Sequence, residues 1–338
     1  MITRFLLARR ALLLAMSAAA ALTLACGSGP NKPSSTPPGL DAQSTPKPAA
    51  PSAGTAATST PTPTAATFPI TVHASDGKDF VIKAPPKRIA SLSAGTTEIL
   101  YAIGAGAQVV ATDKYSNYPA AAQNTPKLDG FNPSAEAIAG VQPDLVLLTD
   151  DPKQIEETLN GLGIPALWLS VPSSIQATLQ QIQLYGDITG HSAEARRVVA
   201  GMQTRLQAVQ QKLAGVPQGP RVYHELDPTL FSVAPNSFVG DLYTLLKAQN
   251  IVPAGDKPYP QVTQEFIIAQ DPQVIILADE ASGVTPDSVR ARPGWDAISA
   301  VKNGKVYTVD PDVVSRPGPR IVDAVETLAK LLYPDRFQ

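Results

Sequence analysis

One stretch of this chain recurs on the far side of a long amphipathic helix, and this recurrence constrains the fold more than any other feature. From Glu136 the chain reads EAIAGVQPDLVLLTDD, and 129 residues later, from Glu265, it reads EFIIAQDPQVIILADE. In both copies a proline follows the glutamate by seven residues (Pro143, Pro272), and seven residues after the proline an acid follows the apolar run (Asp150, Asp279). A second pair keeps the same order: EILYAIGAGAQVVATDK from Glu98 and DLYTLLKAQNIVPAGDK from Asp241. Two ungapped matches in one order indicate an internal duplication of one α/β unit. Between the copies stands SAEARRVVAGMQTRLQAVQQKLA, residues 192–214. Its apolar residues Ala195, Val198, Val199, Met202, Leu206, Val209 and Leu213 fall three or four apart, the stripe of a helix buried on one side. Ser192 is placed to cap its start, and Gly215 with Pro217 to end it.

The flanks give the architecture. ITVHA and DFVIKA alternate around Ser75-Asp76-Gly77-Lys78, which predicts a hairpin. Strand-like runs follow at 88–93, 109–113, 144–149 and 165–171, with helical stretches near 96–104, 134–140 and 153–162, and a helix at 174–188 leads into the long one. Beyond it the scheme repeats with strands at 221–226, 274–279 and 305–310 and a closing helix from Arg320 to Leu332. Strands alternating with helices predict an α/β fold: two similar lobes, each a mainly parallel sheet with flanking helices, joined by one long rigid helix. The expected division is 68–190 for the first lobe, 191–215 for the linking helix and 216–338 for the second lobe.

The start of the chain reads differently. Residues 1–25 carry Arg4, Arg9 and Arg10 and then the apolar run Ala11–Leu24, a signal peptide rather than a spanning helix. The only cysteine, Cys26, follows at once. The segment resembles a bacterial lipoprotein signal, which implies cleavage after Ala25 and lipid attachment at Cys26. Residues 26–67 are rich in Pro, Ser, Thr and Ala with almost no large apolar group, a composition that cannot fold alone and reads as a disordered tether. Lys and Arg number 27 against 29 Asp and Glu, so charge gives no reason to expect nucleic acid.

Ligands of open α/β sheets sit beyond the carboxyl ends of the strands. The groups there are Ser93–Thr96, Lys114–Tyr118 and Asp150-Asp151 in the first copy. In the second they are Glu225–Asp227, Phe231, Tyr259, Asp279-Glu280, and Asp312 with Arg316. The stretches PKRIASLSAGTTEILYAIGA, KYSNYP, AIAGVQPDLVLL, YPQVTQE and SRPGPRIV resemble the substrate-binding proteins of ABC importers for cobalamin and iron–siderophores, most nearly the cobalamin branch. The likeness covers about residues 68–335. It implies an extracytoplasmic, lipid-anchored monomer (in the periplasm or on the outer cell surface) that delivers cobalamin to an ABC importer permease dimer. An iron–siderophore or haem carrier of the same class is the alternative, and in either case the compound is cargo, not a cofactor. The family's ligand-contacting tyrosine falls on Tyr115, with Asn117 in place of its aspartate. Its Asp and Arg four apart fall on Asp312 and Arg316, and a pocket tryptophan falls on Tyr259. Tyr118, Phe131 and Phe231 are further aromatic faces suited to a flat macrocycle. The resemblance also implies that Glu136 and Glu265 dock on the permease, one from each lobe.

Other readings are weaker. No GxSxG, P-loop, GxGxxG or CxxC is present, which removes the commonest enzyme signatures. A structural surface lipoprotein has no positive mark. His73, His191 and His224 make no metal-ligand spacing, and of these only His224 is placed to reach a cleft. Trp168 and Trp295 read as core, and the Asp150-Asp151 and Asp279-Glu280 pairs as solvated carboxylates at strand ends.

Overall fold

The computed structural model of the chain describes residues 66–151 and 154–337. The expected leader, the anchor at Cys26 and the tether as far as residue 65 lie outside the described residues. An antiparallel hairpin comes first, β1 (Ile70–His73) with β2 (Asp79–Ile82), turning at Gly77 with φ of 83°. Two parallel sheets follow. The first contains β3 (Ile89–Ser91), β4 (Val109–Asp113), β5 (Lys127–Leu128), β6 (Leu145–Leu148) and β7 (Ala166–Trp168), in the order β5-β4-β3-β6-β7. The second contains β8 (Arg221–Glu225), β9 (Gln249–Asn250), β10 (Val274–Leu277) and β11 (Val306–Thr308), in the order β11-β10-β8-β9. Taken from its other edge, the second sheet repeats the order β4-β3-β6-β7 of the first and lacks only a counterpart of β5.

The duplication extends to single residues. In β6, Leu145 and Leu147 join one core cluster while Val146 and Leu148 join another. In β10, Val274 and Ile276 divide from Ile275 and Leu277 in the same way. Continuous apolar strands buried on both faces are what a helix-covered parallel sheet requires. The helices carrying the repeated glutamates, Ala135–Gly140 and Gln264–Gln270, are each capped by a hydroxyl, from Ser134 and Thr263. After each comes a non-glycine residue in the left-handed region, Gln142 at φ 48° and Asp271 at φ 45°. An arginine satisfies the free carbonyls at each end. Arg88 donates to those of Val141 and Gln142, and Arg221 to those of Gln270 and Asp271.

The linking helix is Ser192–Lys212, with Ala195, Met202, Leu206 and Val209 buried. Its cap differs from the expectation: His191 occupies the cap position, and Ser192 is the first helical residue, its buried hydroxyl without a partner. Helix Ile175–Thr189 folds back on it through Gly190 at φ 82°. The two cross so closely that a Cβ on Gly186 would stand 2.3 Å from Cβ of Ala195. Helix Ile321–Leu332 also packs on it, held where Arg205 donates to Asp323 at 2.6 Å and to Glu326 at 2.7 and 2.9 Å. One continuous core cluster runs from the first sheet through these helices to the second. The link between the lobes is therefore a packed strut. Trp295 is fully buried, as expected of a core residue, and Trp168 is half-buried. Among the described residues no helix is long and apolar enough to cross a membrane.

Candidate functional site

A cavity of about 560 Å³ opens at the carboxyl ends of the first sheet. Every strand of that sheet contributes to it: Leu92–Gly95 after β3, Asp113 and Tyr115 at the end of β4, Gly130 and Phe131 after β5, Thr149 and Asp150 after β6, and Val171 after β7. The chain leaves β3 for β4 on one side and reaches β6 on the other, so the cavity lies where the strand order reverses. The second lobe closes it with one segment, Asp312, Ser315, Arg316 and Pro317, which follows β11.

The loop 114–118 is held from below. Asp113 is buried and accepts from the Tyr115 amide at 3.1 Å and from the Ser116 hydroxyl, which also bonds Thr97 at 2.9 Å. Lys127 donates to the Ser116 carbonyl at 2.7 Å, and burial pushes its ammonium below the usual lysine range. Tyr115 is thereby presented outward, 53% exposed, with its ring edge-on to Phe131 at 5.4 Å. Phe131 is 74% exposed, the most of any large apolar side chain on the described surface.

Charged groups from the two lobes interlock at the cavity edge. Arg316 pairs with Asp312 at 2.5 Å, donates to Asn117 Oδ1 at 2.7 Å and to the Tyr115 carbonyl at 3.1 Å, and reaches Glu98 at 3.3 Å. Glu98 is buried in the helix Ala94–Ala102 and also receives a two-pronged contact from Arg320 at 2.5 and 2.8 Å. The backbones meet beside this node. A Cβ on Gly95 would lie 2.9 Å from the Pro317 carbonyl oxygen, so position 95 requires glycine.

Of the residues singled out in the sequence, Tyr115, Phe131, Asp312 and Arg316 come together around this cavity. Tyr118 does not. It turns to the other side of the Glu98 node, where Arg320 lies 4.2 Å over its ring and a separate cavity of about 360 Å³ opens beside Tyr101 and Pro319. Phe231 and Tyr259 are exposed on the second lobe, at 38% and 43%, but do not line the cavity. They stand on neighbouring loops, the bridge Phe231–Gln261 joining them just beyond β8. Glu136 and Glu265 are exposed in the first turns of their helices.

Two sequence expectations are corrected. His224 does not reach a cleft: it is 1% exposed, its Nδ1 is 2.7 Å from the Tyr243 hydroxyl, and burial pushes its pKa down to about 3. Asp279 is not solvated. It is buried beside Glu225, with no hydrogen-bond partner on either oxygen, and burial together with the neighbouring carboxylate pushes it well above the ordinary carboxylate range. Sequence reasoning also missed Glu98, whose role needs two arginines more than 200 residues away. Among the described residues no group of three or more His, Cys, Asp or Glu could hold a metal ion.

The arrangement can grip a flat, partly apolar molecule and hydrogen-bond its rim. Comparison with known proteins places the chain in a family. The chain is 32% identical over 279 residues to the uncharacterised ABC transporter substrate-binding lipoprotein YvrC of Bacillus subtilis, covering 80% of this chain and 88% of that one. Among solved structures it superposes on the periplasmic vitamin B12 binding protein BtuF of Vibrio cholerae with a TM-score of 0.65 and 26% identity, covering 75% of this chain and 99% of that one. It superposes equally, at 0.65 and 26%, on a possible iron-binding periplasmic solute-binding protein of Staphylococcus epidermidis, covering 74% of this chain and all of that one. The sequence pattern of the periplasmic binding protein family matches residues 89–313. The chain belongs to the periplasmic binding protein family, the solute-binding components of ABC transporters.

Proposed function

We propose that this protein is an extracytoplasmic carrier that delivers cobalamin to an ABC importer. The observation that carries the choice of cargo is the charge of the cavity. Its lining holds three carboxylates, Asp113, Asp150 and Asp312, and one cation, Arg316, which is already committed to Asp312, Glu98 and Asn117. A haem with two propionates, or an anionic ferric chelate, would meet net negative charge among the described residues of that lining, whose one cation is already paired. A corrinoid presents a broad face and a rim of neutral amides. The Tyr115–Phe131 pair suits the face, and Asp150, which among the described residues accepts only its neighbour's amide on one oxygen, suits an amide N–H donor of the rim.

Mixing the protein with cyanocobalamin, haemin or a ferric siderophore, followed by desalting and a visible spectrum, tests this directly. One equivalent of corrinoid should be retained, and Tyr115→Ala should weaken that binding about tenfold, the loss of about 1–2 kcal/mol of aromatic contact. Retention of haemin or siderophore without cobalamin would overturn the assignment.

The carrier is proposed to be tethered by lipid on Cys26, since the sole cysteine stands directly after the apolar leader. Cys26→Ser should move the protein from washed membranes to the soluble extracytoplasmic fraction, because the tether has no apolar stretch with which to hold lipid. A mutant that stays in the membrane pellet argues against acylation.

A further inference from the structure

We propose that Asn117 latches the two lobes at the rim of the cavity, its one amide answering a carboxylate and a guanidinium of the opposite lobe at once. Its Nδ2 donates to Asp312 Oδ2 at 2.7 Å and its Oδ1 accepts from Arg316 Nη1 at 2.7 Å. Those partners lie 195 and 199 residues further along the chain, on the opposite lobe. An aspartate of the same shape could accept from Arg316 but would set a second carboxylate against Asp312. An aliphatic residue would leave Asp312 paired with Arg316 inside its own lobe and would remove both side-chain bonds to the 117 position. With the bond from Arg316 Nη2 to the Tyr115 carbonyl, the second lobe holds the 115–117 backbone and side chain at three points.

The latch differs from the node beneath it. Glu98 is buried between two arginines, whereas Asn117 is exposed at the rim, where water competes for each bond. Asn117 is thus the part of the interface that can release and re-form. The same loop carries Tyr115, so latching fixes the aromatic face of the cavity as well as the separation of the lobes. Asn117 acts as a positioning residue, through Asp312 and Arg316, whatever the cargo.

The reciprocal exchange supplies the test. In full-length protein carrying Cys26→Ser, spin labels are placed on exposed positions of the two lobes through Leu162→Cys and Asn303→Cys, and their separation is measured by pulsed dipolar spectroscopy with no ligand added. The parent should give one narrow distribution. Asn117→Asp should shift it to longer, broader distances, and Asn117→Ala should fall between. The double variant Asn117→Asp with Asp312→Asn restores the parent's charge and its donor–acceptor pattern, so it should return the distribution to that of the parent. An Asn117→Asp distribution that superimposes on the parent's, or a double variant no nearer the parent than the single, would overturn the latch. A second arm follows dissociation of cyanocobalamin, expected to be several-fold faster in Asn117→Asp and restored in the double variant. The distance arm needs no ligand, so failure of the latch and failure of the cobalamin assignment can be told apart.

Discussion

Replacing Arg292 with leucine should destabilise the folded chain by about 3–5 kcal/mol, the cost of breaking a buried ion pair from one side. Glu225 ends β8 at 0% exposure, and its two oxygens receive Arg292 at 2.6 and 2.7 Å. The guanidinium lies 4.5 Å over the ring of buried Trp295, so it is fixed from a second side. Without Arg292, Glu225 would face the buried Asp279 carboxyl with no cation beside it. Urea unfolding at neutral pH checks the value, and an unchanged dependence on urea would show that only stability moved. Adding Glu225→Leu to the variant should recover much of the loss, since it removes the stranded carboxylate and relieves Asp279 of its like-charged neighbour. A loss below about 1 kcal/mol in the single variant would place the pair among ordinary surface contacts.

Removing both repeated glutamates should abolish most transport while leaving cargo binding intact. Glu136 and Glu265 begin equivalent helices with equivalent hydroxyl caps and equivalent arginine-tied ends, so the two lobes present the same carboxylate in the same local frame. A two-fold symmetric permease can meet such a pair with one cationic site per subunit. Their place in a first helical turn also suits the helix dipole, but that alone would not require both to be exposed. Each exposed ion pair is worth up to about 1 kcal/mol, so Glu136→Ala with Glu265→Ala should lower uptake about tenfold or more, and each single variant less. Added salt should imitate the double variant, since such pairs act chiefly on orientation and association. Wild-type uptake and coupled ATP hydrolysis by the double variant would reduce these glutamates to helix-end charges.

The parts legible in the sequence are those written in periodicity and repetition. The run 109–113 is β4 to the residue, and the other six strand-like runs each hold a strand one to four residues shorter, because hydrophobic runs extend past the last ladder bond. The two-residue strands β5 and β9 left no pattern to read. The helix cap shifted from Ser192 to His191 because the tight return from Gly190 fixes that corner, not the hydroxyl. Tyr115, Phe131, Asp312 and Arg316 line one cavity because the segments that carry them follow strands whose carboxyl ends converge. Tyr118 was misplaced by a local rotation: three residues beyond Tyr115, it faces Arg320 instead. Glu98, the Asn117 bridge and the Glu225–Arg292 pair were invisible for one reason. Each joins residues 67 to 222 apart through hydrogen bonds that have no period.

The two sheets bear on the order in which the molecule can be made. No strand is exchanged between them: β3 to β7 come from one unbroken stretch, and β8 to β11 from the next. Chain ends at residue 169 or beyond already contain every strand of the first sheet and the hairpin beside it, so that half has a complete hydrogen-bond ladder before the second half exists. Domains built this way condense one after another from the amino end. The last contacts to form are then those of residues 312–320 with Glu98 and Asn117, nearly the whole length of the described chain apart. The segment that completes the cavity is also the one that finishes assembly, so a chain truncated before it would lack the wall that closes the cavity.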